Sequence, residues 1–344
     1  MKTSDFDYSL PAELIAQHPL PDRGASRLLV LDRASGSIRH ARFADLVGLM
    51  DPADVLVINT SRVIKARLRG TRAGGQPAEL LLVRPESDGA WTALGRPGGK
   101  LKPGRRVTMG PDSAVEVLEV LGGGLRRVRF VGALDAHATM ARYGEVPLPP
   151  YIRRRPEAHD VERYQTVFAQ HDGSVAAPTA GLHFTPEMLA ALRARGTAVA
   201  GLDLHIGPGT FKPVETERLE DHTLHAEWYH IPEETARTIA DRKAAGGKVW
   251  AVGTTVTRAL ETAGAGSREQ GAVTAGSGET DIFIHPGFPF RVVDHLITNF
   301  HLPRSTLLML VCAFGDHQAV MRAYQEAVRE RYRFYSYGDA MAIV

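Results

Sequence analysis

The chain has one cysteine in 344 residues, no apolar run long enough to cross a bilayer, and a formal net charge of only +2. Each shortage excludes something. Cys312 has no partner for an internal disulfide, and its setting in Leu307-Leu308-Met309-Leu310-Val311-Cys312-Ala313-Phe314 reads as a small buried hydrophobe rather than a nucleophile. The opening Met1-Lys2-Thr3-Ser4-Asp5-Phe6-Asp7 lacks the basic region and apolar core of a secretory signal, and no stretch approaches the ~20 apolar residues that a spanning helix requires. The expected setting is therefore cytoplasmic, with no membrane partner. Nucleotide signatures are missing too. No GxGxxG follows a strand-like run, which excludes the usual dinucleotide site. Gly95-Arg96-Pro97-Gly98-Gly99-Lys100-Leu101 lacks the first glycine of a phosphate loop and has Leu101 where magnesium needs a hydroxyl. There is no H-E-x-x-H pair and no internal repeat.

What is present reads as a soluble globular protein, since 44% hydrophobic and 23% charged residues suffice for a sizeable core and 344 residues leave room for two domains. The near-neutral total conceals an asymmetry. Residues 62–155 hold 18 Lys and Arg against 8 Asp and Glu, a surplus of +10, so the remainder carries −8. A domain-sized basic segment beside an acidic one is the footprint of a protein that meets a phosphate backbone.

The pattern along the chain divides in the same place. Leu28-Leu29-Val30-Leu31 and Val55-Leu56-Val57-Ile58 are short apolar runs of the kind found in buried strands, with a short helix expected at 43–49. From about residue 64 to 150, short strands are expected at 78–83, 91–94, 105–109, 115–120 and 125–131, separated by Gly and Pro turns, with one helix at 136–143. That is the signature of a small antiparallel β-barrel. Past Pro147-Leu148-Pro149-Pro150 the mixed pattern resumes, with helices at 186–195, capped by Thr185, and at 235–245. The expected fold is an α/β main domain (residues 1–63 and 151–344) interrupted by an inserted basic β-barrel domain (64–150). Residues 263–280, rich in Gly, Ala, Ser and Thr, are expected as a mobile loop before a strand at 281–285.

Three loops carry the chemistry. Gly173-Ser174-Val175-Ala176-Ala177-Pro178-Thr179-Ala180-Gly181-Leu182-His183-Phe184-Thr185 surrounds one imidazole with small and hydroxyl residues, a composition suited to close approach by a ligand. Leu204-His205-Ile206-Gly207-Pro208-Gly209-Thr210-Phe211 sets a His and a Thr around Gly-Pro-Gly, where successive amides are expected to form an anion-holding concavity. Thr298-Asn299-Phe300-His301-Leu302-Pro303-Arg304-Ser305-Thr306 places polar side chains between apolar ones. One of them alone reads more readily as a structural turn; three together point to one site.

With His222-Thr223-Leu224-His225-Ala226-Glu227-Trp228-Tyr229, Val252-Gly253-Thr254-Thr255 and Arg333-Phe334-Tyr335-Ser336-Tyr337-Gly338-Asp339-Ala340-Met341, these runs resemble the S-adenosylmethionine:tRNA ribosyltransferase-isomerase family of queuosine biosynthesis. The resemblance extends from Phe6-Asp7-Tyr8 to Asp339-Ala340-Met341 and includes Arg62-Val63-Ile64-Lys65-Ala66-Arg67 at the expected domain junction. It departs at Thr60, where an acidic or amide residue is expected, at Lys65 in place of proline, at Pro208, and at Val256 in place of serine. What the resemblance implies is transfer and isomerisation of the ribosyl moiety of S-adenosylmethionine onto 7-aminomethyl-7-deazaguanine at the tRNA wobble position. The products are epoxyqueuosine-tRNA, adenine and methionine. The partners are that tRNA and S-adenosylmethionine, a consumed substrate; no metal or other cofactor is implied, and a monomer is expected.

Such chemistry needs a base for the acidic C5′ proton, a proton for departing adenine, and donors for a developing alkoxide. The expected acid–base set is His183, His205, His225 and His301 with Glu227, their individual steps unassigned. Arg62, Arg67, Thr179, Thr210, Thr254, Thr255, Asn299 and Asp339 are expected to bind substrate, and Lys100, Lys102, Arg105, Arg106, Arg153, Arg154 and Arg155 to meet tRNA phosphates. Two rival readings are a zinc hydrolase built on His222, His225 and Glu227, which leaves the basic segment unexplained, and a non-catalytic RNA-binding protein, which leaves the polar loops unexplained.

Overall fold

Alternation in the short apolar runs decides the architecture. In the strand Val55–Asn59, Val55 and Val57 enter one core while Leu56 and Ile58 enter another; in Arg27–Leu31 the partition is Leu29 and Leu31 against Leu28 and Val30. Side chains two apart share a face, so a strand apolar at every position must be covered on both sides. The structure, a computed structural model, describes residues 1–207, 214, 216–266 and 271–344.

In chain order the strands are β1 (Arg27–Leu31), β2 (Ile38–Arg42), β3 (Val55–Asn59) and β4 (Ser61–Val63), then β5 (Arg67–Thr71), β6 (Pro77–Pro85), β7 (Trp91–Arg96), β8 (Arg106–Gly110), β9 (Ser113–Gly122), β10 (Leu125–Gly132) and β11 (Gly144–Glu145). There follow β12 (His171–Ser174), β13 (Ala198–Leu204), β14 (Glu227–Ile231), β15 (Val249–Val252), β16 (Gly276–Thr280), β17 (His295–Asn299) and β18 (Ala340–Ile343). The helices are α1 (Ala136–Tyr143), α2 (Asp160–Arg163), α3 (Pro186–Ala194), α4 (Glu233–Ala244), α5 (Thr254–Ala265), α6 (Thr306–Gly315) and α7 (His317–Arg329).

A nine-stranded mixed sheet runs β16-β14-β13-β3-β15-β17-β18-β1-β2, with β13, β3, β15 and β17 mutually parallel. One face packs on α5, α6 and α7 through Leu260, Leu308 and Val320; the other is covered by α3 through Met188, Leu189 and Leu192, with Phe43 and Leu46 beside them. Thr185 caps α3 as expected, its hydroxyl accepting from the Met188 amide at 3.3 Å.

Between β4 and α2 the chain builds a second, antiparallel sheet, β11-β5-β6-β7-β10-β9-β8, which a further pairing of β5 with β8 closes into a ring. Leu80 and Leu82 of β6, with Val107, Val115, Val117 and Val128, point into its core. The structure differs from the sequence reading at four places. The helix expected at 43–49 is a tight 3-10 turn, Phe43–Gly48. The Arg-rich stretch after the junction is a strand, β5, because Arg67 finds Glu79 across the pair and Arg69 finds both Glu79 and Glu145. Residues 263–280 are not one loop, since α5 runs to Ala265 and 276–280 pair with β14 as β16, while 281–285 form no strand. Residues 267–270 of that stretch lie outside the described residues.

Candidate functional site

The parallel strands β13, β3, β15 and β17 all end at one edge of the large sheet, where β1 and β18 begin. Crevices at the carboxyl ends of parallel strands are where open α/β sheets hold ligands. The described parts of the three predicted loops come together there, with residues 177–180, Ile206, Thr298, Asn299 and His301 around one cavity and the Asp339 carbonyl beside Asn299.

Asn299, the last residue of β17, organises the centre. Its buried amide nitrogen lies 3.0 Å from His183 Nε2, 3.2 Å from the Tyr335 carbonyl and 3.5 Å from the Asp339 carbonyl. Two carbonyl acceptors fix that atom as the nitrogen, so His183 Nε2 accepts, and Nδ1 donates to Ser26 Oγ at 2.9 Å. Tyr335 holds φ at +72°, an uncommon value for a bulky residue, and is pinned between its amide on Phe300 and its carbonyl under Asn299. The Asn299 Oδ1 atom is buried without a partner among the described residues, as is Thr255 Oγ1. Buried polar atoms are ordinarily paired, so orphans beside a cavity point to a ligand or water.

That cavity, about 40 Å³, is lined by Thr179, Thr254, Thr255, Thr298, Asn299 and His301 among others, none of them carrying a fixed charge. It has room for a water-sized group, hence for the end of a ligand and not a whole nucleoside. Gly253 opens α5 at φ +91°, a conformation that favours glycine, and provides no side-chain cap, leaving the first-turn amides of α5 for an anionic group. His301 Nε2 lies 2.6 Å from Thr298 Oγ1, while its amide donates to Tyr324 and its carbonyl accepts from Tyr8. Burial holds the pKa of His301 down at about 3; for His183 burial does the same, helped by the positive charges of Arg23 and Arg333. Both imidazoles are neutral at neutral pH.

Other predicted residues have different employment. Glu227 is buried against Arg258 and accepts from the Gly207 amide at 2.9 Å. Asp339 receives the amides of Arg27 at 2.9 Å and Arg333 at 2.8 Å, one on each oxygen, so its carboxylate clamps two chain segments. Arg67 pairs with Glu79 at 2.6 Å and caps the Leu148 carbonyl. His205 packs its ring on Gly173, where a Cβ would come within 2.3 Å of it, and its pKa is lowered by burial against an opposing pull from Asp203. His225 is exposed, away from this cavity's lining. Arg62 is exposed, bonds the Ala169 carbonyl at 2.8 Å and lines a separate cavity with Lys65. Thr210 and Pro208 lie outside the described residues.

Lys100, Lys102, Arg105 and Arg106 are exposed on one turn of the ring. The arginine run is split, since Arg153 and Arg155 are exposed whereas Arg154 grips the buried Asp160 with both terminal nitrogens, at 2.5 and 2.8 Å. Arg154 therefore serves the fold, not a phosphate. Of the departures, Thr60 places its hydroxyl 2.7 Å from Asp203 Oδ1 and 3.0 Å from the Leu202 carbonyl of the neighbouring strand. Val256 lies in the core.

Sequence reasoning missed Arg258, Ser26 and Asn59, whose amide ties the end of β3 to Leu204 of β13 through both side-chain atoms. Arg258 had a signal, a lone cation in the otherwise apolar and hydroxylic face of Val256-Thr257-Arg258-Ala259-Leu260. Among the described residues the one group of three metal donors is the exposed His18, Glu157 and His159, so the zinc set His222, His225 and Glu227 is not assembled.

Residues 3–343 match the family described as queuosine biosynthesis protein. A protein of Citrifermentans bemidjiense named S-adenosylmethionine:tRNA ribosyltransferase-isomerase is 53% identical over 348 residues, covering 100% of both chains, and one of the same name from Pelobacter propionicus is 51% identical over 345 residues, again covering 100% of both. The crystal structure of a Thermotoga maritima S-adenosylmethionine tRNA ribosyltransferase is similar at 38% identity with a TM-score of 0.57, covering 99% of this chain and 100% of that one.

Proposed function

The chain belongs to the queuosine biosynthesis protein family, and we propose that it is an S-adenosylmethionine:tRNA ribosyltransferase-isomerase, acting on tRNA that carries 7-aminomethyl-7-deazaguanine at the wobble position. It moves and rearranges the ribosyl moiety of S-adenosylmethionine to give epoxyqueuosine-tRNA, adenine and methionine. The observation that carries this reading is identity of about half the residues over the whole length of relatives bearing that name.

The site's physics supports it. A sulfonium is a cation, and a cavity lined by hydroxyls, an amide and the imidazole of His301, held neutral by burial, meets it without repulsion. The first-turn amides of α5 suit the carboxylate of the methionine end. Loss of the C5′ proton turns the sulfonium into a net neutral ylide, so an imidazole that accepts the proton gains charge as its neighbour loses it. His301 is the imidazole that reaches the cavity and is the base we assign; Thr254, Thr255, Thr179 and Asn299 orient the substrate. His183, Glu227 and Asp339 are positioning residues, holding Asn299, Gly207 and the segments at Arg27 and Arg333 respectively. The aminomethyl nitrogen of the tRNA base is the nucleophile, and adenine leaves as its glycosidic bond breaks and it takes up a proton. The substrate's own positive sulfur activates C5′, so the reaction asks for no metal or redox cofactor.

Residues 64–150 act as an inserted domain, a small basic β-barrel whose exposed Lys100, Lys102, Arg105 and Arg106 meet tRNA phosphates together with Arg153 and Arg155. The enzyme works as a cytoplasmic monomer; among the described residues no helix is long and apolar enough to cross a membrane. The test is incubation with S-adenosylmethionine and tRNA bearing the modified base, with chromatography for adenine and methionine and mass analysis of the tRNA. Adenine release that requires the modified tRNA and survives a chelator is expected. Rapid release without tRNA, or activity restored only by zinc, overturns the reading.

A further inference from the structure

A cavity of about 650 Å³ opens beside β13 and β14, and no residue lining it lines the Asn299 cavity. Volumes of this size accept small planar ligands. One wall is aromatic. Trp228 and His230, two apart on β14, present parallel rings to the same side, 10° apart in plane and 6.2 Å between centroids, while the His205 ring packs against the indole at 4.7 Å. His230 is steadied by Ser277 Oγ, 2.9 Å from its Nδ1. The floor is polar, with the buried Asp203 taking a hydrogen bond from Thr60 on one oxygen and lying 2.7 Å from His171 Nδ1 on the other.

Trp228 is 39% exposed, whereas the chain's other two tryptophans, Trp91 and Trp250, are 6% and 1% exposed. An indole left in water costs hydrophobic stabilisation that burial would supply, and here it forms a continuous ledge at the mouth of a polar-floored cavity. We propose that this cavity binds an unpaired nucleobase of the RNA substrate, a base other than the one that reacts, stacked on Trp228 and His230 with its polar edge toward Asp203 and His171.

The inference rests on the tRNA reading above. RNA supplies the base because the ledge adjoins the basic ring: Glu279, opposite Trp228 across the β14–β16 pair, lies 4.0 Å from Arg84 of β6. Stacking of single-stranded bases on exposed aromatic side chains is the common mode of recognition once a cationic surface holds the backbone.

Tryptophan fluorescence reads the ledge directly. Titration of the protein with an unmodified anticodon stem-loop RNA should give saturable quenching. Trp228→Phe should abolish the quench while keeping RNA affinity within about 3-fold, since a phenyl ring still stacks. Trp228→Ala should weaken RNA binding about 5- to 100-fold, measured by anisotropy of labelled RNA, with the KM for S-adenosylmethionine unchanged. Undiminished affinity in Trp228→Ala, quenching that persists in Trp228→Phe, or equal quenching by S-adenosylmethionine alone overturns the proposal. Should Trp228→Ala fail to fold, the Trp228→Phe arm decides. The tRNA reading is judged separately, by adenine release from the wild-type protein with modified tRNA, so that activity with an unmoved RNA affinity would remove the ledge and leave the enzyme.

Discussion

Replacing Arg154 by Ala should cost the protein far more than replacing Arg153 or Arg155, although the three stand side by side in one basic run. Asp160 is fully buried, and its two oxygens take both terminal nitrogens of Arg154, the Glu157 amide at 2.7 Å and the Tyr337 hydroxyl at 2.8 Å. Burial opposes ionisation of this carboxyl, yet the bonds from Arg154, Glu157 and Tyr337 prevail and hold its pKa down at about 2. Truncating Arg154 leaves a buried carboxylate with two neutral donors, a loss of about 3–5 kcal/mol. With ~2.1 cal/mol/K of unfolding entropy per residue, 344 residues give roughly 0.7 kcal/mol/K, so Tm should fall by about 4–7 °C at pH 7. The pH dependence has a defined sign. A carboxyl whose folded pKa is depressed contributes stability that is present above its unfolded pKa near 4 and disappears as pH falls toward 2. The gap between parent and variant should therefore be full at pH 7 and close progressively below about pH 5. Arg153→Ala and Arg155→Ala, both at exposed positions, should move Tm by less than about 1 °C. Thermal melts of the four proteins at pH 7, 5 and 3 make the check, and an Arg154→Ala melt coincident with the parent at pH 7 would refute the reasoning.

Charge reversal at Lys100, Lys102, Arg105 and Arg106 together should flatten the salt dependence of tRNA binding, by about 0.7 to 0.9 in the slope of log K against log salt for each phosphate no longer neutralised, with S-adenosylmethionine binding little changed. An unaltered slope would move the RNA path to the face bearing Arg153 and Arg155. His183→Ala should leave a folded protein that is destabilised by about 2–4 kcal/mol, through loss of packing on Phe43 and of the bonds to Ser26 and Asn299, and should lower kcat in the adenine-release assay with little effect on tRNA affinity. Wild-type kcat in that variant would separate His183 from the orientation of Asn299. Glu227→Gln should lower Tm together with activity, because it strips Arg258 of its buried counter-ion; loss of activity at unchanged Tm would instead make Glu227 the base.

How much of this was legible in the chain depends on whether a residue's role is local or relational. The buried strands β1 and β3 announce themselves as continuous apolar runs, and α1 and most strands of the ring are marked by turns on either side, so each can be read within a window of about ten residues. The loops of the site were legible for the same reason, as polar residues framed by apolar ones. That three such loops build one site was legible as well; the sheet edge that brings them together was not, because it depends on β13, β3, β15 and β17 lying parallel and adjacent though β3 and β13 are separated by more than a hundred residues. The same limit governs individual side chains. Asn299 and Asp339 look alike in sequence, each a polar residue beside apolar ones, yet one presents an unsatisfied oxygen beside the cavity while the other spends both oxygens on backbone amides. Arg154 and Arg155 are neighbours of one type, and only the position of Asp160, carried inward on α2, gives them opposite roles. Composition thus locates a site by what it contains, whereas assignment of each group follows from which hydrogen-bonding capacity is still unspent after folding. By that criterion the cavity at Asn299, Thr255 and His301 is the place we propose for substrate chemistry, with His183, Glu227 and Asp339 proposed as the residues that hold it in shape.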